Sequence, residues 1–156
     1  MCYTMNMNKI FTSYYAMARY FPKEYRLISI SADGGRIARF GGDVYKKLAP
    51  KQEFWKVWHD NRGKIDELEN NKYYIENYYN KVLKDLNPQE LIEELGNNSI
   101  LLCYEKATDF CHRHIVAEWL KINGFGAKEI NFKSGVFNEI ETPKYIAEIL
   151  EEVINK

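Results

Sequence analysis

Ser99-Ile100-Leu101-Leu102-Cys103-Tyr104 constrains the chain most: a short, nearly unbroken apolar run with polar residues on both sides. An alternating strand leaves one face wet, whereas this run has apolar side chains for both faces, as strands do in the middle of a covered parallel sheet. Parallel neighbours need crossover connections, and helical patterns flank the run on either side. The implied fold is α/β, a three-layer domain with a mostly parallel sheet flanked by helices. With 156 residues, 46% of them hydrophobic, the chain can bury about two thirds of its unfolded surface without a disulfide or metal staple. We therefore expect one domain over residues 1–156.

The other elements punctuate themselves. Lys9 to Thr12, Arg26 to Ser31 and Lys128 to Phe132 carry the β-branched content of strands. Pro50 opens a helix through Phe54, Trp55, Val57 and Trp58 to about Asn61. From Ile65 to Leu86, apolar positions at helical spacing predict one long amphipathic helix, with Tyr73, Tyr74, Tyr78 and Tyr79 covering the core margin and their hydroxyls in water. Asn87-Pro88 marks the start of a short helix that Gly96 stops. Thr108 or Asp109 is the expected cap of the helix that ends at Gly124, and Thr142-Pro143 opens the last one. Between the first strands and helices lies a loop, Asp33 to Asp43, with a glycine pair near each end.

The 22 Lys plus Arg balance 22 Asp plus Glu, which excludes a polycation that coats nucleic acid along its whole surface. The balance is uneven along the chain. Residues 1–64 hold 12 basic and 5 acidic side chains, a difference of +7, and residues 65–156 hold 10 and 17, a difference of −7. Glu-rich helix faces account for part of this; alternatively Arg36, Arg39, Lys46, Lys47 and Lys51 line a cleft that attracts an anion. No apolar run approaches the roughly 20 residues of a membrane helix, and Met1 to Asn6 lacks the pattern of a secretory leader. We expect a cytoplasmic location and no membrane partner. In that compartment the three cysteines, Cys2, Cys103 and Cys111, are free thiols, ligands or nucleophiles and do not form a disulfide framework.

In open α/β sheets ligands bind beyond the carboxyl ends of strands, where loops lead into helix N-termini. Cys103 to His114 occupies such a place. Arg113 and first-turn amides are candidates to hold a phosphate or carboxylate. Cys103 or Cys111 is a candidate nucleophile assisted by His112 or His114, with Glu105 an acid or base. Cys103, Cys111, His112 and His114 also read as a zinc or iron set, but adjacent Cys111 and His112 diverge on a regular helix and no C-x-x-C knuckle occurs, so no metal ligand is assigned. The plain alternative is packing, with both cysteines as small apolar fillers. His59 reads as a surface side chain, and Asp33 either faces the same edge or initiates a turn.

Leu101-Leu102-Cys103-Tyr104-Glu105-Lys106 followed by Phe110-Cys111-His112-Arg113-His114 and Val116 to Leu120 resembles the signature of the bacterial family catalogued as domain of unknown function 488. Leu27 to Ser31 with its loop, Leu48-Ala49-Pro50, and Tyr74 to Pro88 also resemble that family, so the similarity covers roughly Lys9 to Ile130. The departures lie in the loop from Asp33 to Asp43. The resemblance implies a single α/β domain in which Cys103, Glu105, Cys111, His112 and Arg113 match signature positions. It specifies no reaction and no cofactor.

The expectation is thus an enzyme or ligand-binding domain with an anion site, for a phosphate or a nucleotide, where the strand at 99–104 meets the helix at 109–123. In it Cys103, Glu105, Cys111 and His112 are the catalytic candidates, and Arg113, His114, Asp33, Arg36 and Arg39 the binding ones. The alternative is a nucleic-acid-binding or protein-interaction module, in which Trp55, Trp58 and Tyr20 meet a phosphate backbone beside the basic N-terminal half. A metal or redox sensor is the third.

Overall fold

The structure, a computed structural model, describes residues 9–156; Cys2 lies outside them. Six strands form one sheet in the order β3-β2-β4-β1-β5-β6: β1 Ile10–Tyr14, β2 Arg26–Ser29, β3 Asp43–Val44, β4 Ser99–Cys103, β5 Ala127–Lys133 and β6 Val136–Glu139. The first five run parallel, and β6 turns back antiparallel on β5. This is the expected mostly parallel α/β sheet. β4 sits between β1 and β2, and all five of its residues are buried, which is what its apolar run requires.

Five α-helices complete the chain: α1 Gln52–Asn61, α2 Glu67–Tyr78, α3 Pro88–Leu95, α4 His112–Ile122 and α5 Tyr145–Ile154. Their buried residues, among them Phe54, Ile75, Leu91, Val116 and Leu150, join Ile10, Ile28 and Leu101 of the sheet in one core. The opposite face carries Ile100, Leu102 and Ile130 under Phe21, Tyr15, Met17 and Phe40. A 3-10 helix, Tyr15–Tyr20, and its aromatic neighbours serve as that covering layer. The three layers are therefore unequal. No helix among the described residues is long and apolar enough to cross a membrane.

Local chemistry accounts for several boundaries. The Asn87 side chain accepts from the Glu90 amide at 3.1 Å, Pro88 takes the first turn, and Gly96 ends α3 with φ 82°. The long helix expected from Ile65 to Leu86 is shorter and interrupted: Asp66 caps α2, and a π turn over Tyr79–Leu83 follows it. That turn adds a residue to the ladder and keeps Val82 and Leu83 in the core beyond Tyr78. The tyrosine hydroxyls also differ from expectation. Tyr74 and Tyr78 are buried, and Tyr78 donates to the Leu48 carbonyl at 2.5 Å, because α1 packs across α2 and Phe54 meets both rings edge-on.

Candidate functional site

The start of α4 is displaced from the expected one. Its N-cap is Cys111, not Thr108 or Asp109, with φ −154° and ψ 147°. The cause is Phe110, whose ring packs against Trp58 at 5.7 Å and Tyr74 at 5.3 Å and so fixes the chain just ahead of the cap. Consequently Cys111 and His112 do not diverge as neighbours within a helix do, and the objection to their meeting at one point no longer applies. Cys111 turns toward Cys103 at the end of β4, where the two sulfurs are joined across α-carbons 7.6 Å apart. The sequence reading as free thiols did not foresee this contact.

Beyond these residues lies a pocket of about 380 Å³. Its walls come from distant parts of the chain: Trp55 and Trp58 from α1, Tyr74 from α2, Phe110 before α4, and Tyr104 after β4. Cys103, Cys111, His112, Asp33 and Glu105 complete it. Trp55 and Trp58, expected as surface contacts to a phosphate backbone, thus form pocket walls. A second, wider cavity of about 720 Å³ adjoins it across Trp58, Glu105 and Phe110 and continues toward Arg62, Asp109 and Tyr145.

Three polar groups of the pocket, Asp33, Tyr104 and His112, are held in a definite way. The Asp33 carboxylate accepts from the Gly35 amide at 2.8 Å, the Ile37 amide at 3.1 Å and the Tyr104 hydroxyl at 2.5 Å. Partial burial works to raise its pKa, but the Tyr104 hydroxyl and the two amides together outweigh burial and hold it below the ordinary value. Tyr104 is pushed up to about 12, first by burial and then by its bond to Asp33. The loop achieves this with Gly35 at φ 85°, where an added Cβ would lie 2.7 Å from the Phe40 Cβ. His112 is buried and donates from Nε2 to the Ile30 carbonyl at 2.8 Å. Since a carbonyl only accepts, Nδ1 keeps its lone pair. Burial, aided by the Arg113 charge, lowers its pKa to about 4, so the ring is neutral at pH 7.

Arg113 departs most from expectation. It is 0% exposed, and its fork closes on Glu129 of β5, with Nε to Oε1 at 3.0 Å and Nη2 to Oε2 at 2.8 Å. Nη1 donates to the Cys103 sulfur at 3.2 Å. Thr12 of β1 donates to Glu129 Oε1 at 2.6 Å. Arg113 is therefore not a free cation awaiting an external anion; the next residue of the helix turns about 100° from His112 and faces the sheet, not the pocket. His114 is buried beside this pair with Nδ1 3.8 Å from Glu129 Oε1, and burial lowers its pKa to about 4. It does not line the pocket either.

The basic residues of the N-terminal half are dispersed. Arg36 and Arg39 are exposed on the glycine-rich loop, which sends Asp33 and Ile37, but neither arginine, into the pocket wall. Lys47 pairs with Glu94 at 3.1 Å and Arg26 with Asp43 at 2.7 Å. His59 is exposed and stacks on Trp55. The residues that sequence reasoning missed are Glu129 and Thr12. A lone acid between Lys128 and Ile130 in a strand was the available signal, since an unpaired charge on a buried strand face demands a partner.

The model of the active DUF488-N3 subclade matches residues 17–124. That span holds every pocket residue and Arg113 but stops before Glu129. No curated protein and no solved structure matches the chain significantly.

Proposed function

The chain belongs to the DUF488 family, and from that premise together with the lining of its pocket we propose that it binds a small molecule bearing a flat heteroaromatic ring, such as a nucleotide or its base. The observation that carries this reading is the wall itself: Trp55, Trp58, Tyr74 and Phe110 surround a space whose ionised side chains are the carboxylates of Asp33 and Glu105. Aromatic faces stack on flat rings with about 1–3 kcal/mol per base. Carboxylates accept from ring N–H, amino or sugar hydroxyl groups. The volume falls in the range of about 300–1,000 Å³ typical of small-molecule sites. A bare phosphate finds no such match, because Arg113 is committed to Glu129.

In this reading Asp33 is the fixed acceptor, held by two amides and Tyr104. Glu105, bordering both cavities, is the group placed to move a proton to or from a bound ring. The phosphate of a nucleotide would lie toward the start of α4, where Cys111 makes no side-chain cap and the helix dipole favours negative charge.

The test is thermal stability of the full chain against nucleobases, nucleosides, nucleotides, inorganic phosphate and single-stranded DNA, since a ligand that prefers the folded state raises the midpoint. We expect a ring compound to stabilise the wild type, and Trp58→Ala or Glu105→Gln to abolish that shift. Stabilisation by inorganic phosphate alone would overturn the reading. Stabilisation by DNA that survives Trp58→Ala and vanishes in salt would favour a nucleic-acid interface on the exposed cations.

A further inference from the structure

We propose that Cys103, Cys111 and His112 form a binding site for one zinc ion, with its fourth position open to the aromatic pocket. Two sulfurs and a ring nitrogen, one from each residue, lie within 4.8 Å of one another, and all three residues are buried. Two cysteines and a histidine, with the last position left to water or substrate, make one of the recurring zinc sets of enzymes.

Three further features support an ion between these side chains. The first is the backbone. The α-carbons of Cys103 and Cys111 are 7.6 Å apart, outside the span of about 4.4–6.8 Å that disulfides keep. Two zinc–sulfur bonds of about 2.3 Å at a tetrahedral angle set the sulfurs about 3.8 Å apart, so a wider backbone spacing suits an ion better than a direct bond. The second is Arg113, whose Nη1–H points at the Cys103 sulfur at 3.2 Å. A thiolate is the form of sulfur that benefits from a buried cationic donor, and such outer hydrogen bonds orient and stabilise metal ligands. The third is the Ile30 carbonyl, which takes the Nε2 proton of His112 at 2.8 Å. A metal-binding histidine characteristically donates its other ring N–H to a backbone carbonyl in this way.

Charge closes as well. In the reduced chain, with the bond between the two sulfurs opened by two electrons and two protons from a thiol reductant, zinc binding releases the two thiol protons to solvent, two thiolates neutralise the divalent ion, and Glu129 already neutralises Arg113. Asp33 and Glu105 line the same pocket and add negative charge to it. The site depends on no ring compound and stands apart from the reading above.

The experiment is titration of the reduced, full-length chain with cobalt(II), followed by displacement with zinc and elemental analysis of the zinc form. The expected result is one ion per chain, with the sulfur-to-cobalt charge-transfer band of a two-thiolate site. Cys103→Ser and Cys111→Ser each lose about half of that band, and Cys2→Ser keeps all of it. Arg113→Lys, which leaves the three ligands in place, weakens binding by about 10–100-fold. Should a variant fail to fold, the wild-type spectrum still decides. A reduced wild type with titratable thiols that takes up no cobalt above the protein-free blank overturns the proposal, as does a band that disappears with Cys2. Because neither readout involves a ring ligand, failure here leaves the pocket reading standing, and the reverse also holds.

Discussion

Two adjacent residues of one helix, His112 and Arg113, enter opposite environments. His112 borders an open pocket among aromatic rings, whereas Arg113 lies under the helix against β5 and β4, sealed from water and bonded to Glu129 and Cys103. The comparison teaches that a compact motif can serve two purposes at once. One residue belongs to the site, and its neighbour anchors the helix that presents it. On the sealed side the Arg113 and Glu129 side chains are bonded within the protein, and removing either is expensive. On the open side the polar groups are partly wet, so their loss affects binding far more than folding.

The largest expected effect tests the sealed side. Arg113→Ala leaves the Glu129 carboxylate buried without its partner and should cost about 3–5 kcal/mol, read by urea denaturation. Replacing both members, Arg113→Met with Glu129→Leu, should recover most of that loss; a double variant no better than the single one would show that the pair is not the anchor. Next comes the loop that holds Asp33. Gly35→Ala meets Phe40 and the Tyr15 ring at a positive φ and should cost about 1–3 kcal/mol, with Asp33 no longer fixed. Tyr104→Phe removes one bond to a half-buried carboxylate that keeps two amide donors, so stability falls by only about 0.5 kcal/mol. Its clearer sign is an upward move of the Asp33 pKa in an NMR titration, because the Tyr104 hydroxyl, the strongest opponent of burial there, has been removed. Glu105→Gln should leave stability within about 0.5 kcal/mol while abolishing any ring-dependent shift; a large loss of stability there would contradict the division into sealed and open sides.

What could be read from the chain follows the range of the interactions. The β4 run, the Asn87-Pro88 start and the Gly96 stop rest on residues within a few positions of one another, and they appear where expected. The α4 start was misplaced because its cap is chosen by Phe110 packing on Trp58 and Tyr74, 52 and 36 residues upstream. For the same reason the pocket walls were invisible: α1 and α2 bring their rings to the end of β4 only in three dimensions. Cys103, Glu105, Cys111 and His112 were recognisable as a group, since all lie within one strand-loop-helix turn and all line the pocket. Arg113 was misjudged because its partner sits on another strand. The β5–β6 hairpin escaped notice although Ser134-Gly135 carried the signal; both residues have positive φ, as a tight two-residue turn demands.

The ends of the sheet bear on how these molecules behave in company. Along one border of the described residues the last strand, β3, is two residues long, and its Asp43 is engaged by Arg26. Along the other, β6 is a four-residue arm of a tight hairpin with Glu139 held by Lys128. Short, charged borders give another chain few unpaired amides and carbonyls on which to add a strand. Concentrated solutions should accordingly resist fibrous, strand-to-strand association, although the strands between those borders run parallel and the central one, β4, is wholly buried.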